Sequence, residues 1–319
     1  MKKKIFLITI VVTEILLGTL FIYKVSQNKI TQNNILGTNI VTGIDKSNTI
    51  IGQSEELKYY WKLEPKEWIE KPDWLSYEVT YHINNDGLRE INDYSINKPT
   101  DTYRIITLGD SFTYGHHVNV EDSWSEQLEV LINNDNNQNC KHKNFEVINL
   151  GMAGYDIQYI VQRYKELGQK YDPNLILWFD SSTGFSRYNE LMQPLINDCI
   201  EDISNFNGYA ICYNKAYQQL LKEYSVNELV QFSEYNFDIF FNLDNTDNTI
   251  VFYYKNLLKE NEKIIEKWQN RYKIATFISL VPQPKQNEQL PDKHPNKEGH
   301  TVIAKNIFNY LQKEKKICN

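Results

Sequence analysis

The sequence predicts an α/β fold with a mainly parallel sheet, and three observations carry that prediction. Short apolar segments with strand character alternate with helical segments from residue 103 to the C-terminus. Two of those segments run directly into glycine-containing turns, and each is followed by a stretch of helical periodicity. Strands that alternate with helices make βαβ units, whose crossovers place the strands parallel and cover both faces of the sheet.

The N-terminus comes first. Lys2, Lys3 and Lys4 precede an apolar run over residues 5–23. As a helix, such a run would extend roughly 28 Å, close to the hydrocarbon thickness of a bilayer. Residues 1–26 therefore read as an N-terminal transmembrane helix, a membrane anchor, although Glu14 lies within it. The basic end is expected to stay cytoplasmic, which puts the rest of the chain outside. No small-residue cleavage pattern follows Tyr23; secretion after signal cleavage is the alternative reading.

Residues 27–56 mix Asn, Thr, Ser and Gly without sustained periodicity and read as a linker. Residues 57–102 form a β-containing lead-in, in which aromatic stretches at 58–63 and 77–83 alternate with turn signals such as Asn84-Asn85-Asp86-Gly87. The α/β rhythm occupies residues 103–319. Strands are expected at 104–108, 145–150, 174–179 and 273–281, with helices at about 123–132, 157–170, 251–268 and 297–311. Residues 185–247, rich in Tyr, Asn and Phe, interrupt the rhythm and read as an insertion, helical or capping the site.

Composition narrows the functional classes. The net charge of −7 gives no broad cationic footprint, so nucleic acid is not expected as a partner. Hydrophobic residues make up 41% of the chain and aromatic residues 13%, enough for a sizeable core. Cys140, Cys199, Cys212 and Cys318 allow three pairings; Cys199 with Cys212 is the nearest pair, and free buried thiols are the alternative. No CxxC spacing is present, so no structural metal is expected.

Chemistry concentrates in two blocks. Gly109-Asp110-Ser111-Phe112-Thr113-Tyr114-Gly115 follows the first strand of the regular region, where open α/β sheets collect their ligands. The glycines permit a tight strand-to-helix turn, which makes Ser111 a candidate nucleophile. After the last strand comes Asp292-Lys293-His294-Pro295-Asn296, in which a carboxylate two residues before an imidazole can orient it as a base. His116-His117 reads as an exposed loop pair outside the chemistry, Arg89 as an anchor of the lead-in loop, and His300 as a packing residue near the last helix.

With these blocks in this order, the sequence resembles the SGNH/GDSL hydrolase family. The resemblance covers roughly residue 81 to the end and includes Asn84-Asn85-Asp86-Gly87-Leu88-Arg89, Gly109 to Gly115, Asn149-Leu150-Gly151-Met152-Ala153-Gly154 and Asp292 to Asn296. It implies a flavodoxin-like three-layer sandwich, an ester hydrolase activity, Ser111 as nucleophile, His294 as base and Asp292 as its support. It also implies that the backbone N–H groups of Ser111 and Gly154 hold the oxyanion, and that no metal or organic cofactor takes part. The sequence departs from the family in two places. Only Lys293 separates the acid from the base, and the third strand continues Asp180-Ser181-Ser182-Thr183-Gly184 without the Asn whose amide usually completes the oxyanion hole. Ser182 or Thr183 is the expected stand-in, Asn189 lying too far along the chain.

The function expected from sequence is an extracytoplasmic serine esterase acting on acyl esters, O-acetyl groups of cell-envelope carbohydrate in particular. The alternative is a weakly catalytic protein of the same fold that binds acylated polymer or a membrane partner.

Overall fold

Five parallel strands form the central sheet of the computed structural model, which describes residues 57–135, 142, 144–181, 187–201, 208–255 and 259–317. They are β3 (Thr102–Gly109), β4 (Asn144–Asn149), β5 (Leu175–Phe179), β6 (Thr249–Tyr254) and β7 (Ala275–Val281). Their spatial order is β4-β3-β5-β6-β7, with every neighbouring pair parallel. This is the flavodoxin-like arrangement, and its switch point lies beside β3, where the chain leaves for β4 on one side and returns to β5 on the other. A separate antiparallel hairpin, β1 (Lys66–Glu70) with β2 (Val79–Ile83), precedes the sheet.

Alternate residues of each central strand face opposite layers. Ile176 and Trp178 of β5 join one core cluster and Leu175, Leu177 and Phe179 the other; in β6, Val251 and Tyr253 oppose Ile250, Phe252 and Tyr254. One face is covered by α3 (Ile157–Glu166) and α7 (Lys259–Arg271), through residues such as Tyr159, Ile160, Ile265 and Trp268. The other is covered by α2 (Trp124–Asn133) and α8 (Lys297–Lys313), through Trp124, Leu128, Ile303, Ala304 and Ile307. Burial on both faces is why these strands read as apolar runs instead of alternating patterns.

One expected element is wrong. The helix expected at 251–268 begins as a strand: residues 249–254 form β6, paired with both β5 and β7, and the helix starts only at Lys259. Thr249-Ile250-Val251-Phe252-Tyr253-Tyr254 is β-branched and aromatic throughout, and all six residues are buried. Such a run fits a strand covered on both faces better than an amphipathic helix. In the lead-in, β2 lies within the expected aromatic stretch, whereas residues 58–63 form no strand and place Tyr60 and Trp61 against Tyr155 and Tyr159.

The insertion is helical where described: α4 (Asn189–Glu201), α5 (Gly208–Glu223) and α6 (Val226–Phe240), the last packed against α3. Cys199 and Cys212 form a disulfide that ties α4 to α5, as the nearest-pair reading expected. No described helix is long and apolar enough to cross a membrane. The expected anchor at 1–26 and linker at 27–56 lie outside the described residues.

Arg89 locks the lead-in to the sheet. Its guanidinium is buried, lies over the rings of Tyr81 and Tyr114 at 4.4 and 4.9 Å, and donates to the carbonyl oxygens of Tyr114, Gly115 and Val118. Arg89→Met should therefore strip the turn after α1 (Ser111–Tyr114) of its donors and lower stability by about 3 kcal/mol. Urea titration of the two proteins checks this, and an unchanged midpoint would count against the anchoring role.

Candidate active site

Ser111 opens α1 just beyond the C-terminal end of β3. Asp110 caps the helix, with its Oδ1 accepting from the Phe112 N–H at 3.0 Å and its Oδ2 accepting from the Ser181 hydroxyl at 2.7 Å. Gly109 has φ +155°, and a Cβ there would lie 2.2 Å from Thr113 Oγ1 and 2.7 Å from the Phe179 carbonyl oxygen. Only glycine fits so close a passage between the nucleophile turn and β5.

His294 comes from the loop between β7 and α8 and meets Ser111 across the crevice. Its Nε2 is 2.8 Å from Ser111 Oγ, and its Nδ1 is 2.8 Å from Asp292 Oδ2. Lys293 explains how a single intervening residue suffices. It adopts φ +75°, a left-handed turn closed by Leu290 N–H to His294 O and Lys293 N–H to Leu290 O bonds, so Asp292 and His294 project to the same side. Asp292 Oδ1 also accepts from the His294 N–H at 3.2 Å. The three residues expected as nucleophile, base and acid are thus brought together.

Protonation follows from the contacts. Burial raises the Asp292 pKa, but hydrogen bonds from His117 and His294 and their charges outweigh it and hold the carboxyl far below the usual range. An ionised Asp292 only accepts, so the His294 proton sits on Nδ1 and leaves the Nε2 lone pair for the Ser111 hydroxyl.

His117 is the residue that sequence reading missed. It was read as an exposed loop residue; it is buried, and its Nε2 donates to Asp292 Oδ2 at 3.2 Å. The carboxylate is therefore clamped by two imidazoles. Its backbone has φ +64°, an uncommon conformation for a residue with a side chain, which costs about 1 kcal/mol or more and must be held by the surroundings. The holding groups come from the hairpin side: Tyr81 Oη accepts from the His117 N–H at 3.0 Å, Tyr77 Oη donates to its carbonyl at 3.1 Å, and Trp74 sets its edge against the ring at 4.8 Å. His116 is also at the site, with its ring 5.1 Å from that of His294. Burial, then the neighbouring His117 and His294, push its pKa down to about 3, so it is neutral at working pH. No single motif marks either residue, because their contacts come from hairpin and loop residues distant in sequence.

On the other wall, the glycine block is tied directly to the nucleophile turn. Asn149 donates from Nδ2 to the Thr113 carbonyl and accepts on Oδ1 from the Gly151 N–H, both at 2.9 Å. Gly154 has φ +83°. Among the described residues, neither the Ser111 nor the Gly154 backbone N–H donates a hydrogen bond, which leaves both for an oxyanion. Asn189 reaches the glycine block, but its amide is already committed: its Nδ2 donates to the Gly154 carbonyl at 2.9 Å and its N–H to Asp156 Oδ2 at 2.6 Å, so it holds Gly154 in place and does not stand in for the absent amide. Ser182 and Thr183, the expected stand-ins for the absent amide, lie outside the described residues.

No protein-family description and no curated protein matches the chain. Solved structures similar to it include the esterase EstA from Pseudoalteromonas sp., with 13% identity over 66% of this chain and 98% of that one and a TM-score of 0.38. A member of the lipolytic G-D-S-L family from Veillonella parvula has 14% identity, 66% and 98% coverage and a TM-score of 0.35. The family 3 carbohydrate esterase of Clostridium thermocellum has 14% identity, 67% and 96% coverage and a TM-score of 0.35. The chain is similar to the SGNH/GDSL hydrolases in its motifs, and the solved structures it is similar to include proteins of that name and esterases.

Two outcomes follow for the histidines. His117→Ala should lower kcat for a simple ester by about 10- to 100-fold, the worth of one hydrogen bond to a charged group, with KM little changed. His117→Gln, which keeps a donor, should recover part of the loss; an unchanged kcat in a folded His117→Ala protein would exclude the positioning role.

His300 is fully buried and accepts on Nδ1 from the Trp124 N–H at 3.1 Å. Burial first, with Arg89 and His294 adding, pushes its pKa down to about 3. A depressed histidine binds its proton more readily in the unfolded chain, so the stability it contributes is intact above about pH 6.5 and is lost as pH falls toward 3. Relative to His300→Gln, the wild type should lose on the order of 4 kcal/mol across that window. Parallel stability curves for the two proteins would refute the assignment.

Proposed function

We propose that the protein is a serine ester hydrolase whose domain lies outside the cytoplasmic membrane and removes short acyl groups, O-acetyl foremost, from cell-envelope glycans. The observation that carries the hydrolase reading is the continuous relay from Ser111 Oγ through His294 to Asp292, with both links at 2.8 Å. Nucleophile–base and base–orienter hydrogen bonds of normal length, beside two unused backbone N–H groups, make up the arrangement that acyl transfer requires.

The steps follow from those positions. Ser111 Oγ attacks the ester carbonyl carbon as His294 Nε2 takes the hydroxyl proton, and the carbonyl oxygen becomes an oxyanion held by the N–H groups of Ser111 and Gly154. The imidazolium, stabilised by Asp292, then gives its proton to the departing alkoxide and leaves an acyl-Ser111. A water molecule deprotonated by His294 attacks the acyl carbon, and collapse of the second tetrahedral species regenerates Ser111 and releases the carboxylic acid. No step calls for a metal or an organic cofactor.

The location rests on the lysine-led apolar run at residues 5–23 and is supported by the Cys199–Cys212 disulfide, a bond that persists in oxidising compartments. The membrane tether puts cell-envelope polymer within reach, which motivates the glycan ester as substrate.

Detergent-solubilised full-length protein should react with a fluorophosphonate probe at Ser111 and release acetate from purified envelope polysaccharide. Ser111→Ala should abolish both, and His294→Ala should lower turnover by about 10⁴-fold or more, since members of such a relay fail together. Acetate release that survives in Ser111→Ala would overturn the nucleophile; labelling without release from any envelope polymer would overturn the substrate.

A further inference from the structure

No Asn follows β5, and among the described residues two backbone N–H groups are open to an oxyanion; the structure brings a different side chain beside one of them. Arg187 precedes α4, and its Nη1 stands 3.6 Å from where a Cβ on Gly154 would be. The remaining atoms near that point belong to the Trp61 ring, at 3.2 and 3.4 Å, so Arg187 and Trp61 together flank the oxyanion glycine. The guanidinium lies over the Tyr213 ring at 5.6 Å.

Arg187 is only partly exposed, yet among the described residues it forms no ion pair and no hydrogen bond, and its Nε is enclosed without a partner. A half-buried cation with unused donors is costly unless something satisfies it. Burial opposes its charge, but Tyr213, Asp110, Tyr209 and Asp156 more than offset burial and keep it protonated. Those carboxylates hold the charge without occupying its donors: Asp110 caps α1 and takes the Ser181 hydroxyl, and Asp156 accepts from the N–H groups of Tyr159 and Asn189. Asn189, a further polar side chain near Gly154, has its amide on the Gly154 carbonyl.

We propose that Arg187 is the third oxyanion donor, its Nη1 N–H groups meeting the tetrahedral oxyanion beside the backbone N–H groups of Ser111 and Gly154. The inference rests on the serine hydrolase reading and adds a catalytic residue to it. A guanidinium is permanently charged and carries several donors in a rigid fork, so it replaces a neutral amide with a stronger partner for an anion. Because the negative charge exists in the transition state and not in the ester, the contribution falls on kcat.

The test uses the full-length protein in detergent with p-nitrophenyl acetate, a neutral ester, on Arg187→Ala, Arg187→Gln and Arg187→Lys. Arg187→Ala should lose about 10²- to 10³-fold in kcat with KM little changed, the usual loss for one oxyanion donor. Arg187→Lys should recover part of it, and guanidinium added to Arg187→Ala should restore turnover in a concentration-dependent way. Affinity for an alkyl boronic acid, which forms a tetrahedral anion on Ser111, should fall in parallel with kcat/KM across the series, whereas thermal stability need not. Full kcat in a folded Arg187→Ala or Arg187→Gln protein would overturn the proposal. So would a loss confined to the KM of negatively charged esters, which would make Arg187 a substrate anchor. A wild type without Ser111-dependent turnover would instead sink the hydrolase reading itself.

Discussion

The carboxylate of Asp292, shared between the imidazoles of His294 and His117, is the interaction on which the rest of the site depends. Its ionised form requires donors on both sides, because a half-buried carboxylate with one partner would be desolvated without compensation. Once two N–H groups are supplied, the charge is held and the His294 tautomer is set. The consequence reaches far from the loop that carries it. His117 can reach Asp292 only through its left-handed backbone, and that backbone is held by Tyr81 and Tyr77 at the hairpin. The hairpin is in turn fixed by Trp68 stacked on Tyr81 at 4.8 Å and by Arg89 between Tyr81 and Tyr114. The lead-in is therefore structural support for the base, and not a spacer before the domain.

The opposite wall has its own chain of support, built from backbone contacts. Asn149 joins the end of β4 to α1, and Asn189 joins the start of α4 to the glycine block. Asp156 belongs to the same set: it is buried, caps α3 through Tyr159 and receives the Asn189 N–H. Burial raises its pKa to about 6 even though both N–H groups favour the charged form. The insertion thus enters the site through its first turn, which connects the position of the oxyanion glycine to a segment outside the α/β rhythm. The disulfide between α4 and α5 keeps that segment together.

The two walls meet because the sheet places them there. β3 ends at the switch point, so the turn after it faces the loops that follow β4, β5 and β7. Gly109 allows the nucleophile turn to lie directly against the end of β5, and α8 begins from the loop that carries His294. His300, one turn into α8, accepts from the first N–H of α2, which binds the two helices of that face beneath the site. Ser111, Gly154 and His294 therefore come from the loops after three different strands, β3, β4 and β7, and the sheet register sets the distances between them.

Much of this was legible in the sequence. The apolar strands ending in Gly109-Asp110-Ser111 and in the glycine block, the Asp292-Lys293-His294 loop and the Cys199–Cys212 pair depend on local pattern and spacing, and each is found where pattern and spacing placed it. β6 was misread because a short apolar run has no period that distinguishes a doubly buried strand from the start of a helix. His117 and Arg187 were not recognised, and Asn189 was weighed only as an oxyanion donor, because their contacts join segments tens to hundreds of residues apart. His117 lies 175 positions from Asp292, and Arg187 reaches Gly154 from beyond β5. Sequence by itself determined the chemistry available: a serine in a tight turn, and an imidazole with its acid. Tertiary structure decided which further polar groups surround that chemistry, since desolvation and hydrogen bonding act through space and not along the chain.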